Sequence, residues 1–147
     1  MTTASEGTAK EALIDALRRR GGRVTSQRLV INEILRELGR HATAEEIRER
    51  VEVHLPNVSL PTVYSTLELF EELGIVRSFR GGDGVTLYDP RTDPHPHLIC
   101  ESCGVATDLE APLDLAGAIE AAKGAGFSPR TADLVVTGLC HSCASQA

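Results

Sequence analysis

The segment NVSLPTVYSTLELFEELGIVRSFRGGDGVTLY, residues 57–88, decides the fold of the first half of this 147-residue chain. Asn57-Val-Ser59 opens a helix in which Pro61 is tolerated, because an N–H in the first turn has no intrahelical partner to lose. Val63, Leu67, Phe70 and Leu73 recur at helical spacing and form one apolar face. Gly74 ends the helix. Two strand-like stretches, 75–80 and 85–88, are joined by Gly81-Gly82-Asp83-Gly84, a flexible hairpin tip.

Working outward toward the N-terminus, residues 1–8 read as a frayed polar tail. Residues 9–20 place Leu13, Ile14 and Leu17 on one side and stop at Gly21-Gly22. Thr25 caps a second helix with the stripe Val30, Ile31, Ile34, Leu35 and Leu38, closed by Gly39. A capping box, Thr43-Ala-Glu-Glu46, starts a short third helix through about Arg50. Three or four short helices followed by a hairpin is the order of a winged helix-turn-helix.

Toward the C-terminus the pattern breaks. Residues 89–96, Asp-Pro-Arg-Thr-Asp-Pro-His-Pro, hold three prolines in eight positions, which suits a stiff linker. Beyond it, 97–100, 105–109 and 132–139 read as short strands around a helix near 113–124. The expected class is α/β (α+β), with a winged-helix DNA-binding domain at 1–88, a hinge at 89–96 and a small α/β dimerisation domain at 97–147. So short a second domain buries little core, and a metal staple and an oligomer interface are the usual remedies.

Composition narrows the function classes. The chain is 41% hydrophobic and 24% charged, an ordinary globular mixture. No apolar run approaches a membrane span and no signal-peptide core follows Met1, so a soluble cytoplasmic protein without a membrane role is expected. The net charge of -6 argues against holding nucleic acid by bulk electrostatics. It is unevenly spread: residues 1–88 carry 12 basic against 13 acidic groups, residues 89–147 only 3 against 8. Seven arginines fall within 18–40, so any polyanion contact belongs to the first half.

In a helix-turn-helix the N-terminal end of the second helix enters the major groove. Packing Val63, Leu67, Phe70 and Leu73 inward turns Thr62, Tyr64 and Ser65 outward, toward phosphates, thymine methyls or base edges. The arginines on and between the first two helices, Arg23 and Arg28 among them, would grip the flanking backbone. A four-helix scaffold whose exposed Thr, Tyr and Ser do nothing fits the same pattern. A DNA-binding half with so little net positive charge needs two copies or a conformational trigger to bind well.

All four cysteines fall in two CxxC pairs, Cys100/Cys103 and Cys140/Cys143. Two soft thiolate pairs brought together by folding match a tetrahedral structural zinc site. Disulfides would suit a small secreted domain, and a thioredoxin-like redox motif would need no second pair. A second constellation is harder and borderline: His95 and His97 flank Pro96, with Asp89 before them, Asp108 after Cys100, and His41 ahead of the third helix. Three imidazoles and two carboxylates suit Fe(II), Mn(II) or a similar ion. By composition alone an ordinary polar linker fits as well.

The motifs Arg23-Val-Thr-Ser-Gln-Arg28, His41-Ala-Thr-Ala-Glu-Glu-Ile47, Ser59-Leu-Pro-Thr-Val-Tyr-Ser-Thr-Leu67, His95-Pro-His-Leu-Ile-Cys100-Glu-Ser-Cys103-Gly and Gly138-Leu-Cys140-His-Ser-Cys143 together resemble the ferric uptake regulator superfamily of bacterial metalloregulators. The resemblance implies a homodimeric repressor on a two-fold symmetric double-stranded operator. It implies zinc on Cys100, Cys103, Cys140 and Cys143, and a regulatory metal on His41, Asp89, His95, His97 and Asp108. Iron-sensing members resemble one another in using Glu at the positions of Asp89 and Asp108, whereas peroxide-sensing repressors use Asp. The resemblance therefore leans to a peroxide sensor, in which Fe(II) and peroxide oxidise His41 or His95 and release DNA, while Mn(II) gives a form peroxide does not readily switch. An iron- or manganese-responsive regulator of metal uptake is the alternative. The resemblance departs at Ser65, where Arg or Asn is common after the tyrosine, so it does not supply an operator preference. A further metal site beside the histidines is not expected, because its neighbours here are Pro94 and Pro96.

An enzyme is not expected. Two histidines and a carboxylate can form a facial triad for non-haem iron chemistry, but five ligands leave little room for a substrate. A zinc-stabilised interaction module without DNA binding is the remaining class.

Overall fold

The computed structural model describes residues 3–146. The chain divides into two compact units, Met1–Ser78 with Thr86–Thr92, and Phe79–Val85 with Asp93–Ala147. No helix among the described residues is long and apolar enough to cross a membrane.

The first unit is built on α1 (Thr3–Arg19), α2 (Ser26–Leu38), α3 (Ala44–Glu52) and α4 (Leu60–Glu72). The helix begins at Thr3 where a frayed tail is expected for residues 1–8. Each later helix starts on a side-chain oxygen that satisfies an otherwise orphaned N–H. Thr25 accepts from Arg28 N at 3.3 Å, Thr43 from Glu46 N at 3.1 Å and Ser59 from Thr62 N at 3.3 Å. The capping box at Thr43 is made on one side only, because the Glu46 carboxylate turns to Arg40. Gly39 ends α2 with φ 59°, a left-handed conformation that favours glycine, and returns its N–H to the Leu35 carbonyl.

The apolar stripes converge. Leu13, Leu17, Ile31, Leu35, Ile47, Val51, Val63, Leu67, Phe70 and Val76 are fully buried in one core. Full burial of such a side chain stabilises the fold by roughly 1.5–3 kcal/mol. Val30, Leu38 and Leu73, also expected inside, pack half-buried at its edge. β1 (Arg77–Arg80) and β2 (Thr86–Asp89) follow as a two-stranded sheet. Ala42 and Tyr88 add an antiparallel bridge, so the loop before α3 is sewn to β2.

The second unit carries a three-stranded sheet in the order β4 (Ala106–Asp108), β3 (His97–Cys100), β5 (Val135–Gly138). α5 (Leu115–Gly124) precedes β5, and a one-turn helix, α6 (His141–Ala144), begins inside the second CxxC. β3 runs antiparallel to β4, pairing His97 with Asp108, and parallel to β5, pairing Cys100 with Gly138. The hairpin tip belongs to this unit for a packing reason. A Cβ on Gly82 would stand 2.7 Å from Ile99 Cγ2, a distance only glycine permits. Few other side chains of this unit are buried, while Leu98, Val105, Leu134, Val135, Val136 and Leu139 are exposed.

Candidate functional site

The thiol site follows from strand direction. β3 and β5 are parallel, so their C-terminal ends lie side by side. Cys100 ends β3 and Cys140 comes two residues after β5, which brings both CxxC loops to one end of the sheet. Glu101 N donates to the Gly138 carbonyl at 2.8 Å and locks those ends together. One sulfur from each of Cys100, Cys103, Cys140 and Cys143 lies within 4.8 Å of every other.

Their spacing and charge test the fit to a metal. A tetrahedron with metal–sulfur bonds of about 2.3 Å has edges of about 3.8 Å, and Cys103 Sγ stands 3.8 Å from Cys140 Sγ. The backbone N–H groups of Cys103 and Cys140 pull the Cys100 thiol down to about 6. Cys143 moves the other way: a hydrogen bond with the Ser102 side chain lowers it, but the Cys140 and Cys100 thiols outweigh that and raise it to about 12. Four adjacent sulfurs cannot all ionise without a cation among them. The set fits a structural Zn(II) ion.

The second group is built by the β3–β4 register. Cross-strand partners project to the same face, so pairing His97 with Asp108 sets imidazole beside carboxylate. His97 Nε2 lies 3.4 Å and His95 Nε2 3.3 Å from Asp108 Oδ1, and the two rings are 4.5 Å apart. Both histidines are buried. His95 Nδ1 lies 2.7 Å from the Asp93 carbonyl oxygen. An N–H there donates to the carbonyl and leaves the lone pair on Nε2, the nitrogen facing Asp108, available to a metal. Imidazole nitrogens with a carboxylate oxygen fit Fe(II) or Mn(II).

His41 and Asp89 belong to the first unit. Asp89 closes β2, buried, with Oδ1 accepting from Arg91 N at 2.9 Å. His41 is half-buried in the loop before α3. A residue that sequence reading missed is Phe79, whose ring stacks on His97 with centroids 3.8 Å apart. Its only signal in sequence is its place as an aromatic in β1, which says nothing of the partner.

On α4, Tyr64 and Ser65 are exposed and Thr62 is half-buried. The Thr62 and Ser59 hydroxyls are 2.8 Å apart, and Ser65 Oγ donates to the Thr62 carbonyl at 3.1 Å. Tyr64 reaches Glu45 Oε1 on α3 at 3.2 Å. Burial, and then the Glu45 carboxylate, push its phenol above the ordinary value. Arg23 is exposed, and Arg28 donates to its carbonyl at 2.6 Å.

The chain is similar to known proteins. The ferric uptake regulator family matches residues 19–137. The peroxide operon regulator of Bacillus subtilis is 38% identical over 138 residues, 93% of this chain and 94% of that protein. The structure of the Vibrio cholerae ferric uptake regulator is similar with a TM-score of 0.65 and 29% identity, covering 86% of this chain and 98% of that one. The Helicobacter pylori ferric uptake regulator shares the fold with a TM-score of 0.78, at 21% identity over 95% and 93% of the two chains. The chain, with its winged helices, thiol group and imidazole–carboxylate group, belongs to the ferric uptake regulator family of metal-dependent, DNA-binding transcriptional regulators.

Proposed function

We propose that this regulator is a cytoplasmic, homodimeric repressor that responds to peroxide through a regulatory Fe(II) or Mn(II) site. The observation that carries the reading is the carboxylate chemistry: both carboxylates of the ligand set, Asp89 and Asp108, are aspartates. The peroxide operon regulator at 38% identity supports the same direction.

His41, Asp89, His95, His97 and Asp108 are the proposed ligands. Fe(II), when bound, supplies one-electron chemistry toward peroxide, which Mn(II) supplies poorly. The chain's own part would be to hold imidazoles at the metal, which would make His41 and His95 the side chains open to oxidation. A metal that binds one conformation better than another shifts the population toward it, which would let metal occupancy select a DNA-binding state. Cys100, Cys103, Cys140 and Cys143 hold the structural zinc.

Arg23 and Arg28 would meet phosphates, and Thr62, Tyr64 and Ser65 the groove, on each half of a two-fold symmetric operator. Dimerisation is supported by the exposed apolar face of the second sheet, where Leu98 neighbours Val136 in register. The near-neutral first half adds an electrostatic reason, since two copies must pool their arginines.

The test is binding to an operator selected from random DNA with Mn(II) present. The Fe(II) protein should release it at low peroxide, with one oxygen added to the His41 or His95 peptide by mass. The Mn(II) protein should stay bound. If the Fe(II) form keeps both its mass and its operator, the protein is an iron- or manganese-responsive regulator of metal uptake.

A further inference from the structure

Arg36 lies in the arginine-rich stretch expected to grip DNA, but its side chain is turned onto the protein's own backbone. Nη1 donates to the Pro90 carbonyl at 3.0 Å and Nη2 to the Ile75 carbonyl at 3.1 Å. Nε is buried without a hydrogen bond, and burial lowers the guanidinium's pKa from its ordinary value. Desolvating a guanidinium is costly, and an aliphatic residue would fill the same space more cheaply. What an aliphatic residue cannot do is hold two carbonyls in a fixed relation.

Both carbonyls are informative. Pro90 follows Asp89, and the position of that aspartate is set from either side. Tyr88 before it exchanges backbone hydrogen bonds with Ala42, and Pro90 after it is held by Arg36. Proline's fixed φ keeps the intervening chain stiff. Ile75 is tied to the last turn of α4, its N–H donating to the Phe70 carbonyl at 2.9 Å. One guanidinium thus connects the end of the helix that carries Thr62, Tyr64 and Ser65 to the residue beside Asp89.

We propose that Arg36 is a positioning residue of the regulatory metal site: it presets the Asp89 carboxylate and ties it to the C-terminal end of α4. This rests on the reading of Asp89 as a ligand. Groups that orient a ligand without touching the metal commonly change affinity by about 10- to 100-fold when removed.

The test is a double-mutant cycle in Mn(II) affinity, measured by chelator competition on the zinc-loaded full-length chain. Arg36→Met should weaken Mn(II) by about tenfold or more and should have no further effect in the Asp89→Ala background. A purely structural arginine would lower the unfolding temperature in both backgrounds and leave Mn(II) affinity within twofold, and that result overturns the proposal. Should Arg36→Met fail to fold, Arg36→Lys goes through the same cycle. It keeps the charge but not the two-carbonyl fork, so it should weaken Mn(II) to a smaller degree; wild-type affinity in it overturns the proposal equally. If Asp89→Ala alone binds Mn(II) like the wild type, the ligand reading itself falls, a result distinct from a silent Arg36→Met beside a weakened Asp89→Ala.

Discussion

Ala42 N donates to the Tyr88 carbonyl at 3.0 Å and Tyr88 N to the Ala42 carbonyl at 2.8 Å, a closed antiparallel pair. In that register the next residues outward are His41 and Asp89. Two residues 48 positions apart in sequence are thereby presented together by one unit. The same bridge connects them to the start of α3, whose Glu45 meets Tyr64 of α4.

His41→Ala should therefore separate regulation from structure. The variant should keep its zinc, its dimer and its unfolding temperature, because His41 lies outside the core. Its Mn(II)-stimulated operator binding should fall by about tenfold or more, as expected when a ligand to a conformation-selecting metal is lost. Fluorescence anisotropy with and without Mn(II) measures this. Stimulation equal to wild type would remove His41 from the mechanism.

Cys140→Ser should be a folding variant. The thiol group joins the ends of β3 and β5 in a unit with few buried side chains, so binding zinc is part of its folding free energy. We expect loss of the bound zinc together with a destabilisation on the order of several kcal/mol. Metal analysis and thermal unfolding check it; an unchanged unfolding temperature without zinc contradicts a structural role.

Acidification should act at Cys100. Its folded pKa, about 6, lies below the ordinary thiol value, because the Cys103 and Cys140 N–H groups favour the thiolate. The associated stability is present on the alkaline side and is lost as pH falls through about 6. The unfolding temperature of the zinc-stripped protein should therefore fall as pH drops from above the ordinary thiol value through about 6. A flat unfolding temperature across that window would count against a stabilised Cys100 thiolate.

Val136→Asp should produce monomers. Val136 is exposed and neighbours Leu98 across the β3–β5 ladder, so the change places a carboxylate in the proposed dimer face. The isolated fold should tolerate it, since the side chain is not in a core, whereas burying an unpaired carboxylate at an interface is costly. Sedimentation should show a half-mass species with its zinc retained and its operator affinity reduced. A dimer as tight as wild type would move the interface elsewhere.

Much of this architecture is written locally. Thr25, Thr43 and Ser59 cap helices because each acts on an N–H three residues ahead. The stripes through Ile31, Leu35, Val63, Leu67 and Phe70 are periodic, and the two CxxC pairs declare a soft tetrahedral site by their own spacing. Sequence alone determined these features because short-range geometry leaves little choice. It also named His95, His97 and Asp108, but not why they meet. That was decided by the β3–β4 register, which sets His97 against Asp108. The Arg36 fork onto Ile75 and Pro90, the Phe79 ring on His97 and the place of the hairpin tip against Ile99 came from tertiary structure alone. An arginine among seven within residues 18–40 looks like a phosphate ligand until packing turns it inward. Its partners lie 39 and 54 residues away, beyond the reach of any helical or strand period.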